Sequence, residues 1–331
     1  MIMNKFKKLL LIAFASTALF GCNGSDSDEV KPIKLKLAMV VPDNSNYAAG
    51  ARALSEEVKK ATDGRILVDV YAGGTLGGER DTVELAMANN LDIAAAANAV
   101  MTNFIPEMAI LDQAYLWDNI EQAHAAVDGE LGKLIKREAL KHGLHVIGFM
   151  ESGFRDTFSK NPINTIDDFK GVTIRTMENS YHQAAFKSFG AMPVAMPSNE
   201  VFTGLQQGTI DAAENAVSDC LASGFYEVTK NITYTKHAYV YILLAMSDKG
   251  WNKIPEDLRA KFQEGVDKGV AAQRELLLKA NADATEILKE KGVTFHSTDI
   301  NQLKAAYEKM NVQHTFDPEW QAAVDKAKSQ Y

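Results

Sequence analysis

Two arginines offer the plainest chemistry in this sequence. Arg175 ends a short apolar run, Gly171-Val172-Thr173-Ile174-Arg175-Thr176, which reads as a strand. Arg155 follows another apolar run, in Glu151-Ser152-Gly153-Phe154-Arg155. In open α/β sheets, ligands sit beyond the carboxyl ends of the strands. A guanidinium at such a place presents a planar fork of donors that matches a carboxylate bidentately. A single arginine is ordinarily half of a surface ion pair. Two at corresponding strand ends of one lobe point instead to an anion site.

The patterns that would mark an enzyme do not occur. There is no glycine-rich phosphate loop, no G-x-S-x-G elbow and no H-E-x-x-H. The seven histidines are scattered, and only His142 and His145 stand close together, without the spacing of a metal site. Nothing calls for a cofactor. Cys220 reads as a small buried apolar residue rather than a nucleophile. With only two cysteines in 331 residues, and Cys22 assigned below to another role, no internal disulfide is expected.

The N-terminus reads as an export signal. Lys5, Lys7 and Lys8 precede an apolar run from Leu9 to Phe20. That run is shorter than the roughly 20 apolar residues needed to span a bilayer. Leu19-Phe20-Gly21-Cys22 resembles a bacterial lipobox, in which the cysteine is acylated and becomes the first mature residue. This predicts a signal peptide over 1–21 and lipidation at Cys22. The polar, acidic stretch 22–31 is then a tether, and the protein is anchored in the periplasm by lipid alone. Taking the three leader lysines from 35 basic residues leaves 32 against 43 acidic ones, a net of −11. So acidic a chain does not bind nucleic acid through bulk charge, and any anion must be held by local arginines.

The elements that must position the arginines follow from periodicity. Ile33, Leu35, Leu37 and Met39 alternate as a strand; Ala51, Leu54, Val58 and Ala61 recur at helical spacing; Ile66, Val68 and Val70 alternate again. A helix through Val83, Ala86 and Met87 and a buried strand over Asp92–Ala97 complete a β-α-β-α-β order, which implies a parallel sheet. A second such lobe follows. Its parts are strands at Leu144–Met150, Val172–Arg175, Met192–Met196 and Ile210–Ala213, a short helical turn at Thr165–Lys170, and helices before Gly190 and Gly208. Tyr239–Met246 is a long apolar strand. From Pro255 to Lys291 a helix about 50 Å long is predicted, able to brace both lobes, with Gly265 and Gly269 as places where it bends. The expected lobes are 32–152 plus about 241–282, and 153–240 plus about 283–331.

These residues also carry a family resemblance. Ile174-Arg175, Gly190-Ala191-Met192-Pro193, Asn199-Glu200-Val201-Phe202, Gly204-Leu205-Gln206-Gln207-Gly208 and Asp211-Ala212-Ala213-Glu214-Asn215 occur in this order. With Leu76-Gly77-Gly78-Glu79-Arg80 and Gly153-Phe154-Arg155, they resemble the DctP-type solute-binding subunits of tripartite ATP-independent periplasmic (TRAP) transporters. The resemblance covers nearly the whole mature chain. It implies a two-lobe, type II-like periplasmic binding fold with a hinge and a long helix spanning both lobes. It implies that Arg175 pairs with a ligand carboxylate, helped by Arg155 and Asn215, while Glu79 contacts hydroxyls or amines from the other lobe. Asn98 lies near another contact position. Ser198 stands where many members place Phe, and Ala97 where some have Glu. Tyr239, at the start of the long apolar strand, is grouped with the candidate contacts. The implied function is capture of a small organic acid, either a sugar acid or a C4-dicarboxylate, for integral-membrane TRAP permease subunits. Glu151–Asp156 resembles the stretch of a diketo-sugar-acid-binding member, which favours the sugar acid. The alternatives are a periplasmic ligand sensor and, from another class, a periplasmic hydrolase.

Overall fold

A computed structural model describes residues 31–310 and 315–331. The expected signal peptide, Cys22 and all of the tether but Lys31 lie outside the described residues. Among those described, nine strands form one sheet: β1 (Ile33–Ala38), β2 (Ile66–Tyr71), β3 (Ile93–Ala97), β4 (Leu144–Ser159), β5 (Thr173–Thr176), β6 (Met192–Ala195), β7 (Ala212–Asn215), β8 (Asn231–Ser247) and β9 (Thr294–Ser297). Their order is β2-β1-β3-β8-β4-β7-β5-β6, with β9 beside β8.

The parallel pairings expected within each lobe are present: β1 with β2 and β3, and β5 with β6 and β7. The sheet as a whole is mixed, because the two longest strands run antiparallel to each other and to β3 and β7. These strands, β4 and β8, form a ribbon that serves both lobes. One end of it, Ile242–Met246 of β8, pairs with β3. The other end pairs with β7 through Asp156–Ser159 and with β9 through Asn231–Tyr234.

Both strands are longer than periodicity suggests. β4 continues past Met150 through register shifts at Val146/Gly148, Glu151/Gly153 and Arg155/Thr157, and Gly153 adopts φ +82°. Such bulges break the alternation by which a strand is recognised. β8 begins at Asn231 rather than Tyr239. Its first half buries Thr233, Thr235 and His237, polar residues that hide it from a hydrophobic reading. The helices Ile120–Asp128 and Glu130–Lys141 fill a stretch to which no element was assigned.

The helix Glu256–Glu290 has the predicted extent. Its Leu258, Phe262, Val266 and Val270 join the core around β1, β3 and the helix Asn46–Ala61, while Ala284 and Leu288 join the core around Val201, Leu205 and Phe225. It therefore packs into both lobes. Gly265 and Gly269 serve close packing in this structure. A Cβ on Gly265 would lie 2.6 Å from Val58 Cα, and one on Gly269 would lie 2.4 Å from Leu54 Cα. Midway along, Gln273 accepts from Glu151 N (2.9 Å) and donates to Glu151 O (2.8 Å). Arg274 ion-pairs with Glu151 (2.9 Å) and with Asp128 (2.7 Å). The helix thus grips the ribbon next to its central bulge.

The C-terminal segment corrects the expected lobe boundary. The helix Pro318–Ser329 buries Trp320, Ala323, Val324 and Ala327 against Ala123, Val127, Leu131 and Ile135, in the core of the first lobe. Gln122 donates to the carbonyls of Lys328 and Tyr331, and Arg137 pairs with Glu319. Its apolar face matches the helices of 120–141, so 318–331 returns to the first lobe.

The glycine contact yields a stability test. Gly269→Ala forces a methyl into backbone, and overpacking of this kind costs about 1–3 kcal/mol. The melting temperature is expected to fall by several degrees in thermal denaturation, while Lys268→Ala, one residue away on the exposed face, leaves it nearly unchanged.

Candidate functional site

The cleft lies where the two lobes meet over the ribbon. From the first lobe come Val40, Val41, Tyr47, Glu79 and Ala97. The second brings Arg175, Met177, Ser198, Asn215 and Asp219, and the ribbon supplies Ser152, Arg155, Val240 and Ile242. The space amounts to about 360 Å³ with its open mouth included. The mouth is narrow. Cβ atoms on Gly74 and Gly78 would lie 3.7 Å from Asn199 Nδ2 and 3.8 Å from Pro197 Cβ. Bonds across the lobes hold this closed form: Asn46 Nδ2 to Ser218 Oγ (3.1 Å), Asn179 Nδ2 to Ala99 O (2.9 Å) and Asn103 Nδ2 to Glu178 O (2.7 Å).

The two arginines are in different situations. Arg155 lies within β4, not at a strand end. Its Nε and Nη2 donate to the Glu214 carboxylate, and Nη2 also donates to Glu214 O (2.7 Å). Nη1 donates to Asn215 Oδ1 (2.6 Å) and, at 3.4 Å, to Ser152 Oγ. Every N–H direction of this guanidinium is taken up within the protein. Burial opposes its charge, but Glu214 overrides that and its pKa is raised. Burial also acts against the Glu214 carboxylate, yet Arg155 and His237 hold it well below the ordinary carboxylate range. His237 Nε2 lies 3.3 Å from Glu214. Burial pushes the imidazoles of His237 and neighbouring His182 down, the latter to about 3, so both are neutral at pH 7.

Arg175, on β5, is also buried, but only its Nε is engaged, donating to Met196 O at 2.8 Å. Its nearest carboxylate is Glu214, at 3.6 Å and already bonded to Arg155. Burial lowers its pKa, with Glu214 acting against the shift. The terminal nitrogens of Arg175 are thus the cationic fork left for a ligand.

Glu79 opens the helix Glu79–Met87 and accepts from Ala97 N at 3.1 Å. Burial raises its pKa, against that N–H and both arginines. Asn215 lines the cleft but is committed: its Oδ1 serves Arg155 and Ala216 N, and its Nδ2 donates to Asp219. Ser198 lines the cleft from a 3₁₀ turn.

Two candidates lie elsewhere. Asn98 accepts from Tyr241 N (2.9 Å) and donates to Asp112 (2.6 Å), so it is committed between β8 and the turn Pro106–Asp112. Tyr239 donates to Glu151 (2.7 Å) and packs edge-on against Phe154. Side chains alternate along a strand, and Val240 and Ile242 take the cleft face of β8, so Tyr239 points the other way. The sequence reading did not single out Tyr47, Ser152, Glu214 or Asp219. Glu214 stood inside the quoted motif, and its pairing with Arg155 follows from the adjacency of β4 and β7, which sequence spacing does not reveal. Nor did spacing reveal that Glu107, Glu138 and His142 bring one ligand atom each within 4.8 Å of one another. Lys141 occupies Glu138 there at 2.6 Å.

Comparison with known proteins identifies the family. Residues 37–317 match the model of bacterial extracellular solute-binding protein, family 7. A solute-binding protein of Verminephrobacter eiseniae is 30% identical over 298 residues, 89% of this chain and 88% of that one. The 2,3-diketo-L-gulonate-binding periplasmic protein of Escherichia coli is 29% identical over 244 residues, 73% of this chain and 74% of that one. The crystal structure of a TRAP periplasmic solute-binding protein from Xanthobacter autotrophicus Py2, with bound β-D-galacturonate, superposes with a TM-score of 0.85 at 26% identity, covering 89% of this chain and 99% of that one. The chain belongs to the family 7 extracellular solute-binding proteins, the periplasmic solute-binding proteins of TRAP transporters, and shares their two-lobe fold.

Proposed function

We propose that the cleft captures a small organic acid, with the carboxylate on Arg175, and that the closed protein delivers it to the integral-membrane TRAP permease subunits. The observation that carries this reading is the contrast between the arginines. Arg155 is saturated by Glu214, Asn215 and Ser152, whereas Arg175 is buried with only its Nε in a hydrogen bond and its Nη1 no nearer than 3.6 Å to Glu214. A buried charge without a close partner is unfavourable, and a ligand carboxylate would relieve it. A sugar acid fits better than a C4-dicarboxylate, because the second cation that a dicarboxylate needs is already neutralised. The galacturonate and diketogulonate ligands of the relatives agree with this choice. Binding rather than catalysis is supported by the state of the reactive groups: His182 and His237 are buried and neutral, and burial raises the Cys220 thiol far above its ordinary range.

The reading extends to the rest of the chain. The lobes are 32–152 with about 241–282 and the C-terminal helix, and 153–240 with about 283–310. Cys22 is the lipidated residue after a signal over 1–21, and it anchors the protein to a membrane facing the periplasm.

Isothermal titration calorimetry with a hexuronate tests the site. Arg175→Ala is expected to weaken binding about a hundredfold or more, since truncating one partner of a buried pair costs about 3–5 kcal/mol. Arg175→Lys keeps the charge but loses the fork and is expected to fail in large part. Unaltered affinity in Arg175→Ala would refute the assignment.

Arg155→Ala has a different signature. It strands the Glu214 carboxylate in the core, so the fold itself loses about 3–5 kcal/mol and the ligand-free melting temperature drops. Arg175→Ala removes a poorly paired buried charge and leaves the ligand-free melting temperature unchanged or higher.

For the anchor, Cys22→Ala is expected to block processing or to release the protein from the membrane fraction. Unchanged cleavage and fractionation would count against lipidation.

A further inference from the structure

Arg175 accounts for only one end of a ligand. Three acidic side chains, Glu79, Glu214 and Asp219, lie in the cleft or beneath its floor, and they differ in what they still have to offer. Glu214 is consumed by Arg155. Glu79 has one oxygen on Ala97 N. Asp219, on the helix Val217–Ala222, is 1% exposed. Its Oδ2 receives Asn215 Nδ2, which fixes the carboxylate in place. Its Oδ1 is buried without a hydrogen-bond partner. The Ser223 side chain acts on this carboxylate without closing a bond of normal geometry. Buried polar atoms are almost always satisfied. One left without a partner, on a residue that lines the cleft, is placed to take a donor from a ligand.

The charges around Asp219 narrow down that donor. Arg155 and Arg175 attract it, while Glu79 and Tyr47 lie on the facing wall of the same cleft. Glu214 cancels Arg155. His182 and His237 are neutral behind it, and the Cys220 thiol next to it in sequence stays protonated. One uncommitted cation, Arg175, therefore faces two carboxylates, Glu79 and Asp219. Burial raises Asp219 to about 6, with both arginines opposing the rise, so at pH 7 it is largely an ionised acceptor. A second ligand carboxylate would meet like charge with no cation to spare. A hydroxyl would supply the missing donor.

We infer that Asp219 sets the specificity of the cleft: it accepts a hydrogen bond from a hydroxyl of the acid held on Arg175, and it excludes ligands that bring a second carboxylate. This rests on the carboxylate reading of Arg175 and adds to it a residue and a rule for the ligand's other end.

Asp219→Asn provides the test, because the side chain keeps its shape. Its carbonyl can keep the bond from Asn215 Nδ2, which turns an N–H donor toward the cleft in place of the acceptor. Calorimetry would compare D-galacturonate with glutarate on the wild-type protein, Asp219→Asn, Asp219→Ala and Arg175→Ala, with ligand-free melting curves as the check on folding. The wild type is expected to prefer galacturonate. Asp219→Asn is expected to shift the ratio of affinities toward glutarate by about tenfold or more, since both the lost acceptor and the removed charge act in that direction. Asp219→Ala is expected to weaken galacturonate while sparing the contact at Arg175. A wild type that binds both acids equally, or a ratio unmoved by Asp219→Asn in a protein that still needs Arg175, would overturn the inference and leave the carboxylate reading intact. Binding of acids that persists in Arg175→Ala, or no binding of either acid by the wild type, would overturn both.

Discussion

The buried pair of Arg155 and Glu214 is the interaction on which the site depends. It joins β4 to β7 beneath the cleft, with both side chains almost wholly out of water. Desolvating two charges is unfavourable unless the geometry is good and the remaining donors and acceptors are satisfied. Here they are: Asn215, Ser152 and the Glu214 carbonyl take the other N–H groups of Arg155, and His237 approaches the far side of the carboxylate. The consequence reaches past stability. Because Arg155 is spent inside the protein, Asn215 is held in one orientation, and Asn215 in turn holds Asp219. Arg175, one strand over on β5, keeps its fork free. On the proposed reading, the asymmetry between the two arginines makes the polar floor a receptor for one carboxylate.

The same floor carries irregularities of the ribbon. β4 is bulged on both sides of Ser152, and Gly153 sits in a backbone region that favours glycine. Bulges are common where a strand must bend or re-aim its side chains. Gln273 bonds both backbone groups of Glu151, and Arg274 reaches its carboxylate, so the long helix is fastened next to this point while its two halves pack into different cores. Gly265 and Gly269 fasten it to the first lobe at the closest approach of two helix backbones. A hinge needs one rigid element that remembers both sides, and this helix has the contacts for that role.

How much of this was legible in the sequence depended on whether local pattern and tertiary role agreed. Short strands with alternating faces, such as β1 and β2, and the long helix after Pro255 announce themselves, because their burial repeats at the backbone's own period. The ribbon strands did not: bulges shift the phase in β4, and the buried threonines of β8 carry hydroxyls where apolar residues are expected. Arg175 stood out because it falls in a recognisable motif, one residue before the end of β5. Arg155 was noticed for the right motif but its partner was not, since Glu214 becomes its neighbour only when β4 and β7 pair. Tyr239 and Asn98 are engaged away from the cleft in this structure. The family resemblance suggested Asn98, but strand alternation turns Tyr239 away from the cleft and a bond to Asp112 takes up Asn98. The C-terminal helix could not be placed by order along the chain, because nothing local tells a segment to double back to the first lobe.

Closure follows from how the contacts are divided. A ligand shifts an equilibrium only by as much as it binds one state better than the other. Arg175 and Asp219 belong to the second lobe, Glu79 to the first, and Val240 and Ile242 to the ribbon between them. An acid seated on Arg175 alone would bind the open and closed forms about equally and would move nothing. Only when its other end reaches the first lobe does closure strengthen the complex. The protein's own bonds across the lobes, such as Asn46 to Ser218 and Asn179 to Ala99, already favour the closed form somewhat. The ligand has then to supply only the remaining difference. That difference lies in the polar groups of the far wall, not in the carboxylate contact. If the carboxylate sits on Arg175, affinity is anchored there, while selectivity and closure are both decided at the acidic end of the cleft, by the same few atoms.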